Sequence, residues 1–305
     1  MAGRGTGRDI LTLSHVEKRF GEKQVLRDVD FSVPEHTVFG FVGKNGAGKT
    51  TAMKLVLGLL SCSSGEIQVN GMPVRYGNTP TNRFVGYLPD VPEFYSYMSP
   101  AEYLQFCGEI AGMEKKEIRE RTGELLHLVG LEKEKGRIKG FSRGMKQRLG
   151  IAQALFGRPK LLICDEPTSA LDPAGRKELL DILVSAKEQA TVLFSTHILS
   201  DVEHICDQVA FLHNGEIVLQ GSVEEVKKSR KAAKTELETE RPEDARLLLS
   251  QFPFLKMAGQ GSLLLEDTGR LWEILHFIAE KKLPVLRVER QEAALEDLFL
   301  EIIGK

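Results

Sequence analysis

The chain has 305 residues, enough for about two domains at roughly 150 residues each, and for a sizeable buried core. Hydrophobic residues make up 42% and charged residues 28%, which excludes a disordered or fibrous chain. With 41 Lys and Arg against 43 Asp and Glu, the net charge is −2, and the basic excess of a general nucleic-acid binder is missing.

The N-terminus, MAGRGTGRDI, holds no apolar stretch of signal-peptide length, and no run approaches about 18 apolar residues. A chain that does not itself cross a membrane is expected. The apolar-polar alternation of ILTLSHVEKRF and VLRDVDFSV predicts two strands around a GEK turn. FGFVG is an apolar strand entering a glycine-rich turn, and TTAMKLVLGLL continues as a helix. GEIQVNG and FVGYLP are short strands. Residues 99–153 are mostly helical, with breaks expected at glycines 108, 112, 130, 136, 140 and 144. LLICDEP and TVLFSTH are continuous apolar runs, as in strands of a parallel sheet, with RKELLDILVSAKEQ as the helix between them. QVAFLHNGEIVLQG is a hairpin on an Asn-Gly turn. Strands alternating with helices make an α/β domain.

The character changes near residue 223. KKSRKAAK (227–234) is basic and lacks an apolar stripe. TELETE, PEDARLLLSQF, FLKMAG, SLLLED, GRLWEILHFIAEKK and PVLRVER then follow in the order βαββαβ, a split, ferredoxin-like unit, and ALEDLFLEII is a last helix. The expected division is 1–222, with a helical subdomain at about 90–155, a basic linker 223–234, and a small α+β domain 235–305. No internal repeat is visible. Four cysteines, Cys62, Cys107, Cys164 and Cys206, lie far apart and read as reduced and structural.

The chemistry begins at residues 43–50. Gly43, Lys44, Asn45, Gly46, Ala47, Gly48, Lys49 and Thr50 fit GxxxxGK[ST] between an apolar strand and a helix. Glycines let backbone N–H groups approach phosphate oxygens, and the helix N-terminus faces the same anion. Lys49 is placed for the β- and γ-phosphates and the Thr50 hydroxyl for Mg²⁺. Farther on, four apolar residues end in Asp165 and Glu166. Adjacent carboxylates at a strand tip have different roles: Asp165 to hold Mg²⁺ through water, Glu166 to polarise the attacking water. Ser142 and Gly144 stand before a helix rich in long polar residues, which reads either as a capped helix start or as a second anion site.

With these residues in place, the chain resembles the nucleotide-binding subunit of an ATP-binding-cassette (ABC) transporter over residues 9–222. Residues 43–51, Thr51 included, match the Walker A loop. FSRGMKQR, with Ser142, Arg143 and Gly144, matches the signature stretch; Asp165 and Glu166 match Walker B; SALD at 169–172 matches the D-loop; His197 matches the switch histidine. Phe20 falls where the family sets an aromatic ring on adenine, although a Phe is often simply core. The resemblance implies a P-loop fold with a parallel core sheet, an antiparallel N-terminal β subdomain and a helical signature subdomain. It further implies that ATP and Mg²⁺ are the cofactors, that Lys49, Glu166 and His197 are catalytic, and that Phe20, residues 43–51 and Ser142–Gly144 bind nucleotide. Two subunits, identical or paired with a second ABC ATPase, are then expected to sandwich two ATPs and power a separate membrane permease, peripherally on the cytoplasmic face. No nucleic-acid partner is expected.

The chain departs from the commonest pattern twice. The signature is FSRGM rather than LSGGQ, which puts Arg143 where phosphate is expected. Asp90 stands where the family most often has a glutamine that touches Mg²⁺ and water. Asp90 is therefore either a metal contact or a residue of the permease-facing loop, residues 90–98, which packs Phe94, Tyr95, Tyr97 and Met98 together. That loop is either the permease interface or local packing. Lys227, Lys228, Arg230, Lys231 and Lys234 are a solvated linker or a contact for anionic lipid. The resemblance points to the drug, antibiotic and lantibiotic export branch. Rival readings are a soluble cassette ATPase acting on DNA or ribosomes, which would show a coiled coil or tandem cassettes, and a regulatory module, which would lack Glu166 or Lys49. A GTPase is disfavoured because no NKxD occurs.

Overall fold

The computed structural model of the protein describes residues 8–77, 79–228, 234–259, 261–291, 295–296 and 298–299. Two compact units divide the chain, Met1–Val223 and Glu224–Lys305.

The first unit starts with β1 (Asp9–Phe20), β2 (Lys23–Pro34) and β3 (Val38–Val42), followed by α1 (Lys49–Val56), β4 (Ser64–Val69) and β5 (Met72–Pro73). After a 3-10 turn come β6 (Val85–Leu88) and the helices α2 (Pro100–Ile110), α3 (Lys115–Leu128) and α4 (Arg143–Phe156). The alternation resumes with β7 (Leu161–Asp165), α5 (Pro173–Ala186), β8 (Thr191–Thr196), α6 (Leu199–Ile205), β9 (Gln208–His213) and β10 (Glu216–Ser222). One sheet, β2-β1-β4-β5, is antiparallel. The other has the order β10-β9-β3-β8-β7-β6 and is parallel from β9 to β6. Its inner strands are buried along their whole length, which explains the unbroken apolar runs in the sequence. The antiparallel sheet packs its apolar positions against α1 and the parallel sheet; the ring of Phe31 lies 5.7 Å from Phe39 and 5.2 Å from Phe41. The Asn-Gly turn of the β9–β10 hairpin has both residues at positive φ, as its type requires.

The helical region follows local signals. Ser99 caps α2 in a reciprocal capping box with Glu102, and Pro100 occupies the first turn. Ser142 caps α4, its hydroxyl accepting from Met145 N at 3.2 Å. The expected breaks at Gly108 and Gly144 do not occur. Gly108 lies inside α2, where a Cβ would stand 2.7 Å from Ile118 and 2.8 Å from Phe156, so its smallness serves packing. Gly144 sits in the first turn of α4.

The start of the expected linker is helical: α7 (Val223–Lys228) buries Val223 and Val226. These valines are spaced three apart on the helix, an apolar spacing that the basic composition conceals. Of the basic run, Arg230 and Lys231 lie outside the described residues.

The second unit contains β11 (Lys234–Thr239), α8 (Pro242–Gln251), β12 (Leu255–Met257), β13 (Ser262–Leu265), α9 (Leu271–Lys281) and β14 (Val285–Gln291). Its antiparallel sheet has the order β12-β13-β11-β14, the split βαβ arrangement. Leu237, Leu248, Leu263 and Ile274 close its own core. The expected last helix, residues 294–303, lies for the most part outside the described residues.

The contact that places α4 is a close one. A Cβ on Gly86 of β6 would lie 2.1 Å from the carbonyl oxygen of Ala154 in α4, and one on Gly150 of α4 would lie 2.4 Å from Leu88. The first neighbour is backbone and has no rotamer to change. Gly86→Ala is therefore expected to destabilise the folded chain by about 1–3 kcal/mol, measured as a lower urea midpoint with an unchanged slope.

Candidate nucleotide site

The register of the parallel sheet assembles the site. Val42 pairs with Thr196, and Asp165 pairs with Ser195, so β3, β8 and β7 end side by side. The residues that follow these ends are Gly43, His197 and Glu166. In an open parallel sheet, ligands bind at this carboxyl edge.

The loop from β3 to α1 has the conformation that phosphate binding needs. A Cβ on Gly43 would meet the Leu212 carbonyl at 2.5 Å, and Gly46 and Gly48 have φ of 83° and 115°. Gly48 is the N-cap of α1 and no side chain caps it, so the first N–H groups of the helix face outward. Lys44, Asn45 and Gly46 are exposed, Ala47 is half-buried, and Thr50 stands exposed in the first turn of α1 with the half-buried Thr51 beside it. Lys49 turns back into the loop. Its Nζ donates to the Gly43 carbonyl at 2.6 Å and to the Lys44 carbonyl at 3.3 Å.

Lys49 Nζ also lies 3.0 Å from Glu166 Oε1, with side-chain exposures of 5% and 14%. This is an ion contact rather than a directed hydrogen bond, since Glu166 Oε1 has no hydrogen-bond partner. The other carboxylate oxygen, Oε2, is 2.9 Å from His197 Nδ1, which places the ring proton on Nδ1. Glu166 has φ 49°, the left-handed region, and this aims its side chain at both groups. Asp165 is buried at the end of β7, and Ser195 Oγ donates to its Oδ1 at 2.7 Å. The same Oγ accepts from Glu166 N at 2.9 Å. One hydroxyl of β8 thereby orients both acids. Tyr87, beside them on β6, is pushed up to about 12, first by burial and then by the charge of Asp165, and stays protonated.

The fold brings Lys49, Glu166 and His197 into contact and sets Asp165 next to them. Phe20 ends β1 with 47% of its surface exposed and Lys18 Nζ 4.9 Å from the ring centroid. It is not a core residue. Ser142, Arg143 and Gly144 open α4, with Ser142 serving as a cap. The carboxylate of Asp90 meets Arg143 and Ser169. The donor set fits MgATP: a glycine-rich loop leading into an uncapped helix N-terminus, an ammonium, and the hard oxygens of Thr50 and Asp165, which suit Mg²⁺. The sequence reading missed Ser195, and also the buried Asp201, which accepts from Thr168 and Arg176 and ties the loop after β7 to α5 and α6. The only signal for Ser195 was a polar residue near the end of an apolar strand, two positions before His197.

The cysteines are free, and burial pushes the Cys164 and Cys206 thiols up and leaves them inert. No helix among the described residues is long and apolar enough to cross a membrane.

Known proteins resemble this chain in sequence and fold. Residues 26–169 match the family described as ABC transporter. The chain is 39% identical to the uncharacterised ABC transporter ATP-binding protein YxlF of Bacillus subtilis (strain 168), covering 96% of this chain and 99% of that one. It is 33% identical to the bacitracin transport ATP-binding protein BcrA of Bacillus licheniformis, over 97% of each. Among solved structures, an ATP-binding subunit of an ABC transporter superposes with a TM-score of 0.64 at 32% identity, covering 72% of this chain and 92% of the other. The cbiO1 protein of Clostridium perfringens, part of the cbiONQ transporter complex, gives 0.67 at 28% identity, over 80% and 96%. The chain belongs to the ABC transporter family, as an ATP-binding subunit whose ATP hydrolysis drives transport.

Ser195 positions both acids. Ser195→Ala is expected to lower steady-state ATP turnover by about tenfold, with a smaller change in KM for ATP, as phosphate-release assays would show. An unchanged kcat would remove Ser195 from the mechanism.

Proposed function

We propose that two subunits close head to tail on two MgATP and that this closure drives a separate membrane permease, in export of a drug, antibiotic or peptide. The observation that carries the reading is the convergence of Lys49 and His197 on the single carboxylate of Glu166. Lys49 and His197 are both set to hold a phosphate, which would compete with the carboxylate of Glu166 for them. Nucleotide binding then exchanges one anion for another. The triphosphate takes Lys49 and the loop N–H groups, His197 turns to the γ-phosphate, and Glu166 is released to polarise the attacking water. Thr50 and Asp165 would hold Mg²⁺, which neutralises charge developing on the phosphates. Phe20 stacks on adenine from the end of β1, and Ser142, Arg143 and Gly144 meet the ATP of the other subunit. The two-fold arrangement is isologous, so each copy supplies both halves of a site. The second subunit is an identical copy or a related ABC ATPase.

For the permease we propose the surface at residues 90–98. Val91 and Tyr97 are 63% and 62% exposed, and Tyr95 packs edge-on against Phe106. A groove of about 460 Å³ lies beside them, lined by residues that include Pro92, Phe94, Ile138 and Lys146. Exposed aromatics around a groove suit a helix laid into it. The subunit then works at the cytoplasmic face of the membrane without crossing it. The bacitracin transport relative supports an antibiotic as cargo.

Glu166→Gln keeps the shape of the side chain and removes the base. It is expected to bind MgATP, to lose at least about a hundredfold in turnover, and to accumulate as an ATP-bound dimer by light scattering. Turnover near that of the unmodified chain would exclude Glu166 as the base. For the docking surface, Tyr95→Ala with Tyr97→Ala should leave ATP binding intact and abolish co-purification with the permease. Retention of the complex would move the interface elsewhere.

A further inference from the structure

The two positions at which the chain departs from the commonest pattern of its family are partners in the fold. Arg143 Nη2 donates to Asp90 Oδ1 at 3.1 Å and to Ser169 Oγ at 3.2 Å. Ser169 Oγ donates to the same Asp90 oxygen at 2.7 Å, which closes a triangle. Its corners come from the loop after β6, the first turn of α4 and the loop after β7. A glycine at 143 has no side chain to reach Asp90, so the triangle depends on both departures together.

The triangle is held on one side and loose on the other. The backbone of Asp90 is anchored, because the fully buried Gln147 of α4 donates through Nε2 to its carbonyl at 2.5 Å. The ion pair itself is half open to solvent, with side-chain exposures of 44% for Arg143 and 48% for Asp90. An exposed pair of this kind is weak and exchangeable. Arg143 also stands where a cation is poorly placed, in the first turn of a helix whose N-terminus carries positive charge and no acidic residue. It therefore needs an anion. Asp90 supplies one negative charge through one oxygen. A triphosphate supplies more charge and accepts both arms of a guanidinium.

We propose that Asp90 and Arg143 form a charge latch that opens when the dimer closes. Arg143 leaves Asp90 for the phosphates of the ATP held by the other subunit. Its departure releases Asp90 and Ser169, one at the start of the aromatic segment 91–98 and the other three residues after Glu166. A single guanidinium thus reports the arrival of the partner's nucleotide to the proposed permease surface and to the acid that performs hydrolysis. Asp90 is a positioning residue here: it restrains Arg143 until a stronger anion competes. The latch rests on the ATP-sandwich reading given above.

The test is a double-mutant cycle in the Glu166→Gln background, with dimer formation followed by light scattering against MgATP concentration. Asp90→Asn frees Arg143 and is expected to lower the half-dimerising MgATP concentration by about two- to fivefold. Arg143→Gln removes the phosphate contact and is expected to raise it. Asp90→Asn added to Arg143→Gln is expected to shift it by less than about 1.5-fold, because nothing remains to be released. An equal shift by Asp90→Asn in both backgrounds, or a raised midpoint in the first, overturns the latch and leaves the sandwich standing. No MgATP-dependent dimer in any variant overturns the sandwich itself, and the latch with it. Hydrogen exchange of residues 89–98 without nucleotide is the second reading: each single variant and the double variant should exchange faster, and to the same extent. Unchanged exchange in Arg143→Gln would show that the pair does not hold the loop.

Discussion

Lys49 carries its ammonium into a place where 5% of its side chain meets solvent. A charge so buried has to be matched, and the fold supplies two backbone carbonyls and one carboxylate for it. The rest of the site is arranged around this requirement. Glu166 comes off β7 in a left-handed conformation to reach the lysine, His197 comes off β8 to take the second oxygen, and Ser195 fixes the backbone from which Glu166 departs. On the proposed function, a nucleotide phosphate would compete for the same lysine and histidine. The buried ammonium and the carboxylate that matches it thus form one unit, and a change at either is felt at the other.

The sheet makes this grouping possible by delivering three strand ends to one edge in a fixed register. Parallel pairing has a further consequence, because the connections between strands must cross back over the faces and can carry other elements. The helices α2 to α4 occupy one such connection, between β6 and β7, and bring the signature residues with them. Gly86 and Gly150 let α4 lie close against β6. The position of Arg143 beside Asp90 follows from that approach.

Much of the first unit could be read from the sequence because its signals are local and strong. Residues 43–51 combine a strand, a glycine turn and a helix start, and the buried runs before Asp165 and His197 have the composition of parallel strands. The βαββαβ order of the second unit was legible through period alone, since apolar residues alternate in its strands and recur at helical spacing between them. The misses have a common cause. Gly108 reads as a breaker by propensity, but tertiary packing decides its role, and Ile118 and Phe156 are distant in sequence. The α7 segment hides two apolar residues among lysines and glutamates. Ser195 is one hydroxyl in an apolar strand, and its two partners lie 30 and 29 positions away. The pairing of Asp90 with Arg143 was out of reach for the same reason, although each had been singled out as unusual.

The left-handed backbone at Glu166, with a second such residue at Ala170, bears on how this chain is able to vary. A residue with a Cβ gives up about 1–2 kcal/mol to sit there, while Gly and Asn are far more tolerant of that conformation. The carboxylate nevertheless matches the buried Lys49 ammonium, so Gly or Asn there would relieve the backbone and leave the lysine without its counter-charge. Folding itself therefore favours an acid at 166, by way of the lysine, whatever the backbone conformation costs.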